Sequence, residues 1–193
     1  MERTLKYTPP VPTLKRPEKK EDTPIETRGG HNPLITDYCI SKLNYRIQQE
    51  ELSARIYLSM SMWLNNEGYT GAAKLWKKYS DEEMGHAEPA REFLLAMGVQ
   101  PNTPNLEAPG NEYRGLPDII YKSYDHEIEV TRQCTELASD SLKEGEHMLY
   151  QLALNYLKEQ VEEHDKTQTW VDKLKTFGTS PEALRLLDNE MGS

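Results

Sequence analysis

Four glutamates lie at positions where helical periodicity predicts a buried helix face, one on each of four long helical patterns. They are Glu50, Glu83, Glu127 and Glu163. His86 follows Glu83 by three residues, and Gln160 precedes Glu163 by three, so each pair projects from one side of its helix. We call the predicted buried face of each helix its seam. A single glutamate on a seam usually lies at the edge of the buried face, and a lone Glu-x-x-His is a weak indication of a metal site. Four helices that each contribute such a group at mid-length form a more specific pattern.

The convergence of these groups predicts a metal site. Buried carboxylates without partners are costly, and several in one bundle repel one another. Cations remove that repulsion when each carboxylate becomes a ligand. Carboxylate oxygens with an imidazole suit iron, and facing helices of a bundle commonly supply them to a pair of iron ions. We therefore predict that the chain binds iron between its helices.

Four helices are predicted to position these groups, over residues 37–65, 70–97, 117–143 and about 145–177. A short turn makes the first two antiparallel, whereas about 20 residues rich in Pro, Gly and Asn separate the second from the third. A 28-residue helix is about 42 Å long, and 20 extended residues reach about 65 Å, so this segment can cross the whole bundle. The predicted fold is an all-α four-helix bundle with a long crossover. A short fifth helix follows Ser180 and Pro181.

Pro89 interrupts the second helical pattern three residues after His86. Proline lacks the N–H that would bond the carbonyl of residue 85, and its ring crowds that carbonyl. The apolar spacing nevertheless continues through Phe93 without a slip. We therefore predict a kink or widened turn between Gly85 and Pro89, beside the metal site.

Composition divides the chain into three parts and excludes several functions. Residues 1–36 are rich in Pro and Lys and are predicted to form a flexible tail, followed by the bundle at 37–177 and the short helix at 178–193. The net charge of -9 makes nucleic acid and anionic membranes poor partners. No apolar run approaches the ~20 residues that span a bilayer, and the N-terminus has no apolar signal region. We expect a cytoplasmic protein with no membrane partner.

Five short segments of the chain, taken together, resemble the bacterial-type non-haem ferritins. The matching stretches are QQEELSARIYLSMSMW, GAAKLW, DEEMGH, YDHE and KEQVEEHDK, in family order and spacing. The resemblance covers about residues 37–193. It implies a ferritin-like fold and a ferroxidase that passes electrons from Fe(II) to O2 or peroxide. It also implies a homo-oligomeric octahedral shell that stores ferric mineral.

By this resemblance, several residues acquire specific roles. The first iron would be held by Glu50, Glu83 and His86, with Glu83 bridging to a second iron faced by Glu127 and Gln160. Glu163 would link this pair to a third, weaker iron whose other ligands are Glu82, Glu159 and Glu162. Tyr57 would be the redox-active tyrosine beside the pair, although its position on the seam fits core packing equally well.

Departures from related families leave alternatives open. Bacterioferritins and rubrerythrins carry a second Glu-x-x-His on the fourth helix, where this chain has Gln160-Val161-Glu162-Glu163, so the second iron should bind more loosely. Met84 occupies the bacterioferritin haem-ligand position, but a Met also occurs there in non-haem relatives. A di-iron peroxidase or oxygenase and a DNA-protecting mini-ferritin are the alternative functions.

The remaining histidines and both cysteines are less informative. His126, His147 and His164 lie off the predicted seams and are expected at the surface or between subunits. Cys39 and Cys134 belong to no CxxC motif, so both free thiols and a single disulfide remain open.

Overall fold

The computed structural model describes residues 34–193, and this part of the chain is helical without strands. Its helices are α1 (Asp37–Asn66), α2 (Thr70–His86), α3 (Glu88–Ala96), α4 (Leu116–Lys143), α5 (His147–Phe177) and α6 (Pro181–Met191). The predicted all-α bundle with a short last helix is confirmed. None of the described helices is both long enough and apolar enough to cross a membrane.

The start of α1 is set by its own sequence. The Thr36 side chain accepts a hydrogen bond from the N–H of Cys39, which satisfies one of the unpaired donors of the first turn. Ile35 is buried just before it. The rest of the predicted tail lies outside the described residues.

The segment between α3 and α4 runs lengthwise along α1. Asn44 accepts from the N–H of Asn102, Gln48 donates to the carbonyl of Asn105, and Ser59 donates to the carbonyl of Gly110. Residue numbers in these contacts increase together in α1 and in the connecting segment, so the two run in the same direction. The contacts extend over about 22 Å of α1 at 1.5 Å per residue. The long crossover is confirmed, and it leaves α2 and α4 parallel.

The second helix of the predicted bundle is broken at Ala87, between α2 and α3. Pro89 stands in the first turn of α3, where its missing N–H has no helical partner to lose. Across the break, the Tyr156 hydroxyl on α5 donates to the carbonyl of His86 at 3.2 Å. The break lies within residues 85–89, where a kink or widened turn was predicted, but it ends one helix and begins another instead of bending a continuous helix.

The apolar core forms two clusters with a polar layer between them. One cluster holds Leu64, Trp76, Ile120 and Val171, and the other holds Leu43, Leu94, Val130 and Tyr156. On each long helix the predicted metal ligands fall between residues of the two clusters. The fold therefore places the carboxylates at mid-height, with apolar side chains above and below.

The short helix α6 folds back onto the N-terminus of α2. Leu187 and Met191 are buried in the first cluster, and the Asp188 carboxylate accepts from the N–H of Ala72 at 2.8 Å. A Cβ on Gly71 would lie 1.8 Å from the backbone oxygen of Asp188, so only glycine allows this approach.

Candidate metal site

Three predicted ligands converge where α1 meets α2. Glu50, Glu83 and His86 each present one ligand atom, and these atoms all lie within 4.8 Å of one another. Both glutamates are almost fully buried, at 2% and 4% exposure, whereas His86 is half-buried. The Nδ1 atom of His86 lies 3.4 Å from Oε2 of Glu83. Two carboxylates and an imidazole at this separation can bind one divalent ion.

The fourth predicted carboxylate, Glu127 on α4, is buried beside this cluster and held by two hydrogen bonds. Tyr57 on α1 donates its hydroxyl to Oε1, and Gln160 on α5 donates its amide to Oε2 at 3.0 Å. Each of the four bundle helices therefore supplies a polar group to the same layer. Glu127 and Gln160 lie where a second ion could be bound.

Burial and mutual repulsion favour the protonated forms of Glu83 and Glu127. Burial, followed by the charges of Glu127 and Glu50, raises the pKa of Glu83 well above its ordinary value. Burial also raises the pKa of Glu127, to about 7, although the hydrogen bond from Tyr57 opposes the rise. The pKa of Tyr57 itself is raised by burial and by the charge of Glu127, so its hydroxyl remains a donor. Divalent ions would displace these protons on binding.

The carboxylates assigned by resemblance to a third iron lie further out. Glu163 is half-buried, and its Oε1 atom is 3.9 Å from Nε2 of His86. Glu82 is also half-buried, whereas Glu159 and Glu162 are exposed. These last two line a groove of about 430 Å³ beside Pro89 and Tyr156. Burial raises the pKa of Glu159, and the charge of His86 partly offsets that rise.

Two cations in contact with these ligands were not anticipated from the sequence. Arg46 Nε lies 2.7 Å from Oε1 of Glu50, and both side chains are buried. Lys166 Nζ lies 2.9 Å from Oε1 of Glu163 and 3.3 Å from Oε2 of Glu82. Arg46 lies four residues before Glu50, and Lys166 lies three residues after Glu163. This helical spacing could have predicted that each cation shares a helix face with its carboxylate.

The expectation that His126 lies at the surface or between subunits is wrong, because it is only 5% exposed. It packs edge-on against Tyr57 at 5.6 Å, and its Nε2 atom is 2.8 Å from the hydroxyl of Ser53. Burial, followed by the charge of Arg46, lowers its pKa to about 4. The α4 helix buries a face wide enough to include both His126 and its neighbour Glu127, which a single seam does not capture.

The structure also shows the surroundings of the two other histidines, Met84 and the two cysteines. His147 is exposed, and the half-buried ring of His164 lies 5.2 Å from that of Tyr124. Met84 is exposed on α2. Cys39 and Cys134 are buried free thiols, and burial raises both pKa values.

Comparison with known proteins finds similarity to ferritins in sequence and in overall fold. Residues 40–177 match the ferritin-like domain family. A bacterial non-heme ferritin of Escherichia coli O6:H1 is 30% identical over 160 residues, which cover 83% of this chain and 97% of that protein. A probable bacterial non-heme ferritin-like protein of Haemophilus influenzae is 29% identical over the same shares of both chains. A solved open-pore ferritin from the archaeon Archaeoglobus fulgidus is 29% identical with a TM-score of 0.79, covering 82% of this chain and 96% of that chain.

Proposed function

The chain belongs to the ferritin-like family, and on that premise we propose that it is an iron-storage subunit that oxidises Fe(II) at a site inside its own bundle. The product, Fe(III), is stored as mineral in an octahedral shell of identical subunits. The observation that carries the proposal is the meeting of Glu50, Glu83 and His86 in the buried polar layer, next to Glu127.

In this proposal two Fe(II) ions bind as substrates in the polar layer. Glu50 and His86 serve the first position, Glu127 and Gln160 serve the second, and Glu83 bridges them. The bridging role is supported by the position of Glu83, because its ligand atom lies within 4.8 Å of that of Glu50 and its charge also interacts with that of Glu127. Binding releases the protons held by Glu83 and Glu127, because both carboxylates must ionise to act as ligands.

The electron balance requires an external oxidant. Two Fe(II) ions give up one electron each, and with two protons these electrons reduce O2 to hydrogen peroxide, or one peroxide to two waters. Tyr57 donates a hydrogen bond to Glu127, so it is positioned to orient this ligand and lies close enough to exchange an electron with the pair. Gln160 provides a neutral ligand where a histidine would bind more firmly, which favours release of Fe(III) to storage.

The experiment compares wild type, Glu83→Ala and Asp81→Ala after anaerobic loading with Fe(II). Asp81 is the matched control because it lies on the same helix but is exposed. On mixing with O2, Glu83→Ala should lose the fast phase of oxidation, whereas Asp81→Ala should keep it. Circular dichroism should show equal helicity in all three proteins.

Electron microscopy of the aerated samples tests storage separately from oxidation. Wild type should form closed shells with electron-dense cores. Stoichiometric iron that stays bound without mineral would contradict storage and support a di-iron peroxidase or oxygenase. A wild-type oxidation rate in Glu83→Ala would contradict the site assignment.

A further inference from the structure

A lysine ammonium lies between two carboxylates at the outer edge of the metal site. Lys166 Nζ is 2.9 Å from Oε1 of Glu163 on its own helix and 3.3 Å from Oε2 of Glu82 on α2. The same Glu163 oxygen lies 3.9 Å from Nε2 of His86. Lys166 therefore contacts the same oxygen of Glu163 that is turned towards His86.

Glu82 and Glu163 are also two of the four carboxylates that the resemblance assigns to a third ion. An ammonium within about 3 Å of both oxygens occupies the volume of a cation and supplies its charge. A lysine side chain ordinarily carries its charge throughout the physiological pH range.

We propose that Lys166 is a built-in competitor for a third metal ion, because its ammonium takes the place between Glu82 and Glu163. This inference rests on the proposed function, and it revises the expectation of a third iron in this chain. The two ions proposed to bind around Glu83, here called the inner pair, bind first. A third ion binds only when the lysine side chain swings away from both carboxylates.

The location of Lys166 allows such a displacement. Its side chain is 37% exposed, compared with 12% for that of Glu163, so the ammonium can return to water on its flexible stem. Partly exposed ion pairs are weakened by salt. The competition should therefore relax as ionic strength rises.

Calorimetric titration of metal-free protein with Zn(II), a redox-inert probe, tests the proposal. The variants are Lys166→Met, Lys166→Arg and Lys78→Met. Lys78 is the matched control because its Nζ lies 3.5 Å from the other oxygen of Glu82 and is more exposed. Wild type should bind two ions tightly, and Lys166→Met should bind a third at least about tenfold more tightly than wild type does. Lys166→Arg and Lys78→Met should resemble wild type.

The same titration separates this inference from the proposed function. Identical stoichiometry and affinities in wild type and Lys166→Met would overturn the competitor role even if the inner pair fills normally. Absence of the inner pair in every variant would instead contradict the proposed iron site. In crystals soaked with Zn(II), an anomalous peak between Glu82 and Glu163 in Lys166→Met alone would support competition even if the inner pair stays empty, and absence of that peak would contradict it.

Discussion

The guanidinium of Arg46 lies 2.7 Å from the carboxylate of Glu50 at the centre of the bundle, and each side chain is only 3% exposed. Arg46 also donates through Nη1 to Oε1 of Gln133 at 3.2 Å. Burial lowers the pKa of Arg46, but the charge of Glu50 outweighs it and raises the pKa overall. Glu50, a proposed ligand of the site, thus has a permanent counter-charge before any metal binds.

Loss of that counter-charge should destabilise the metal-free protein. Removing one partner of a buried ion pair strands the other, so Arg46→Met should lower the free energy of unfolding by roughly 3–5 kcal/mol. The double variant Arg46→Met/Glu50→Gln should recover most of the loss. Denaturant unfolding at fixed protein concentration measures both effects. Lys77→Met, which breaks an exposed pair with Asp81, is the control and should change stability by less than about 1 kcal/mol. A small effect in Arg46→Met would show that the pair is not a stabilising element.

The metal-free protein should lose stability as pH rises from about 5 to above 7. Glu127 has a pKa of about 7 in the fold against 4.5 ordinarily, so between these values the native state holds a proton that the unfolded chain has released. Stability therefore falls with rising pH in this window, by an amount of the order of 3 kcal/mol at 1.36 kcal/mol per pKa unit. Glu127→Gln should make the profile less steep, and the raised pKa of Glu83 should account for the slope that remains. Thermal unfolding across the window is the measurement, and an unchanged slope in the variant would contradict the assignment.

Removal of the Tyr57 hydroxyl should shift the pH dependence of Fe(II) oxidation upwards. Its hydrogen bond opposes the rise in the pKa of Glu127, so Tyr57→Phe should leave that carboxyl protonated to higher pH. Stopped-flow oxidation rates from about pH 5 to pH 8 reveal the shift. Tyr79→Phe is a suitable control, because Tyr79 neighbours Tyr57 but its hydroxyl accepts from Trp170. Lower rates with an unshifted profile would point to an electron-transfer role instead.

Replacing Pro89 should allow α2 and α3 to join. Pro89→Ala supplies an N–H that bonds the carbonyl of Gly85 once the helix is continuous, and it removes the ring that would crowd that carbonyl, so we expect higher thermal stability. A straightened helix should also draw the carbonyl of His86 away from the hydroxyl of Tyr156. Reduced affinity for Fe(II) or slower oxidation would show that the break orients the side chain of His86 towards the metal site. If affinity and rate both match wild type, the bend has no functional part.

Much of the site could be predicted because a helix converts sequence spacing into direction. Glu83 and His86 must share a face when they are three residues apart, and the structure brings both of them to Glu50. The position of the break followed from Pro89 in the same way, since the loss of an N–H is a local property. The long crossover followed from chain length.

Periodicity alone did not resolve the width of the buried faces. His126 and Glu127 are adjacent in sequence and both buried, because α4 also packs against α1 through Ser53 and Tyr57. A one-dimensional pattern assigns each residue to one face and does not count the neighbouring helices.

The sequence by itself determined the helices, their order, the disturbance beside Pro89 and the polar side chains at mid-height. Only the tertiary structure decided which charges meet across the bundle. Lys166 reaches Glu82 on another helix, and the carboxylates share one buried layer, only after the helices have packed. The physical reason is that backbone hydrogen bonds orient side chains locally, whereas Coulomb energies depend on distances and burial between segments far apart in the chain.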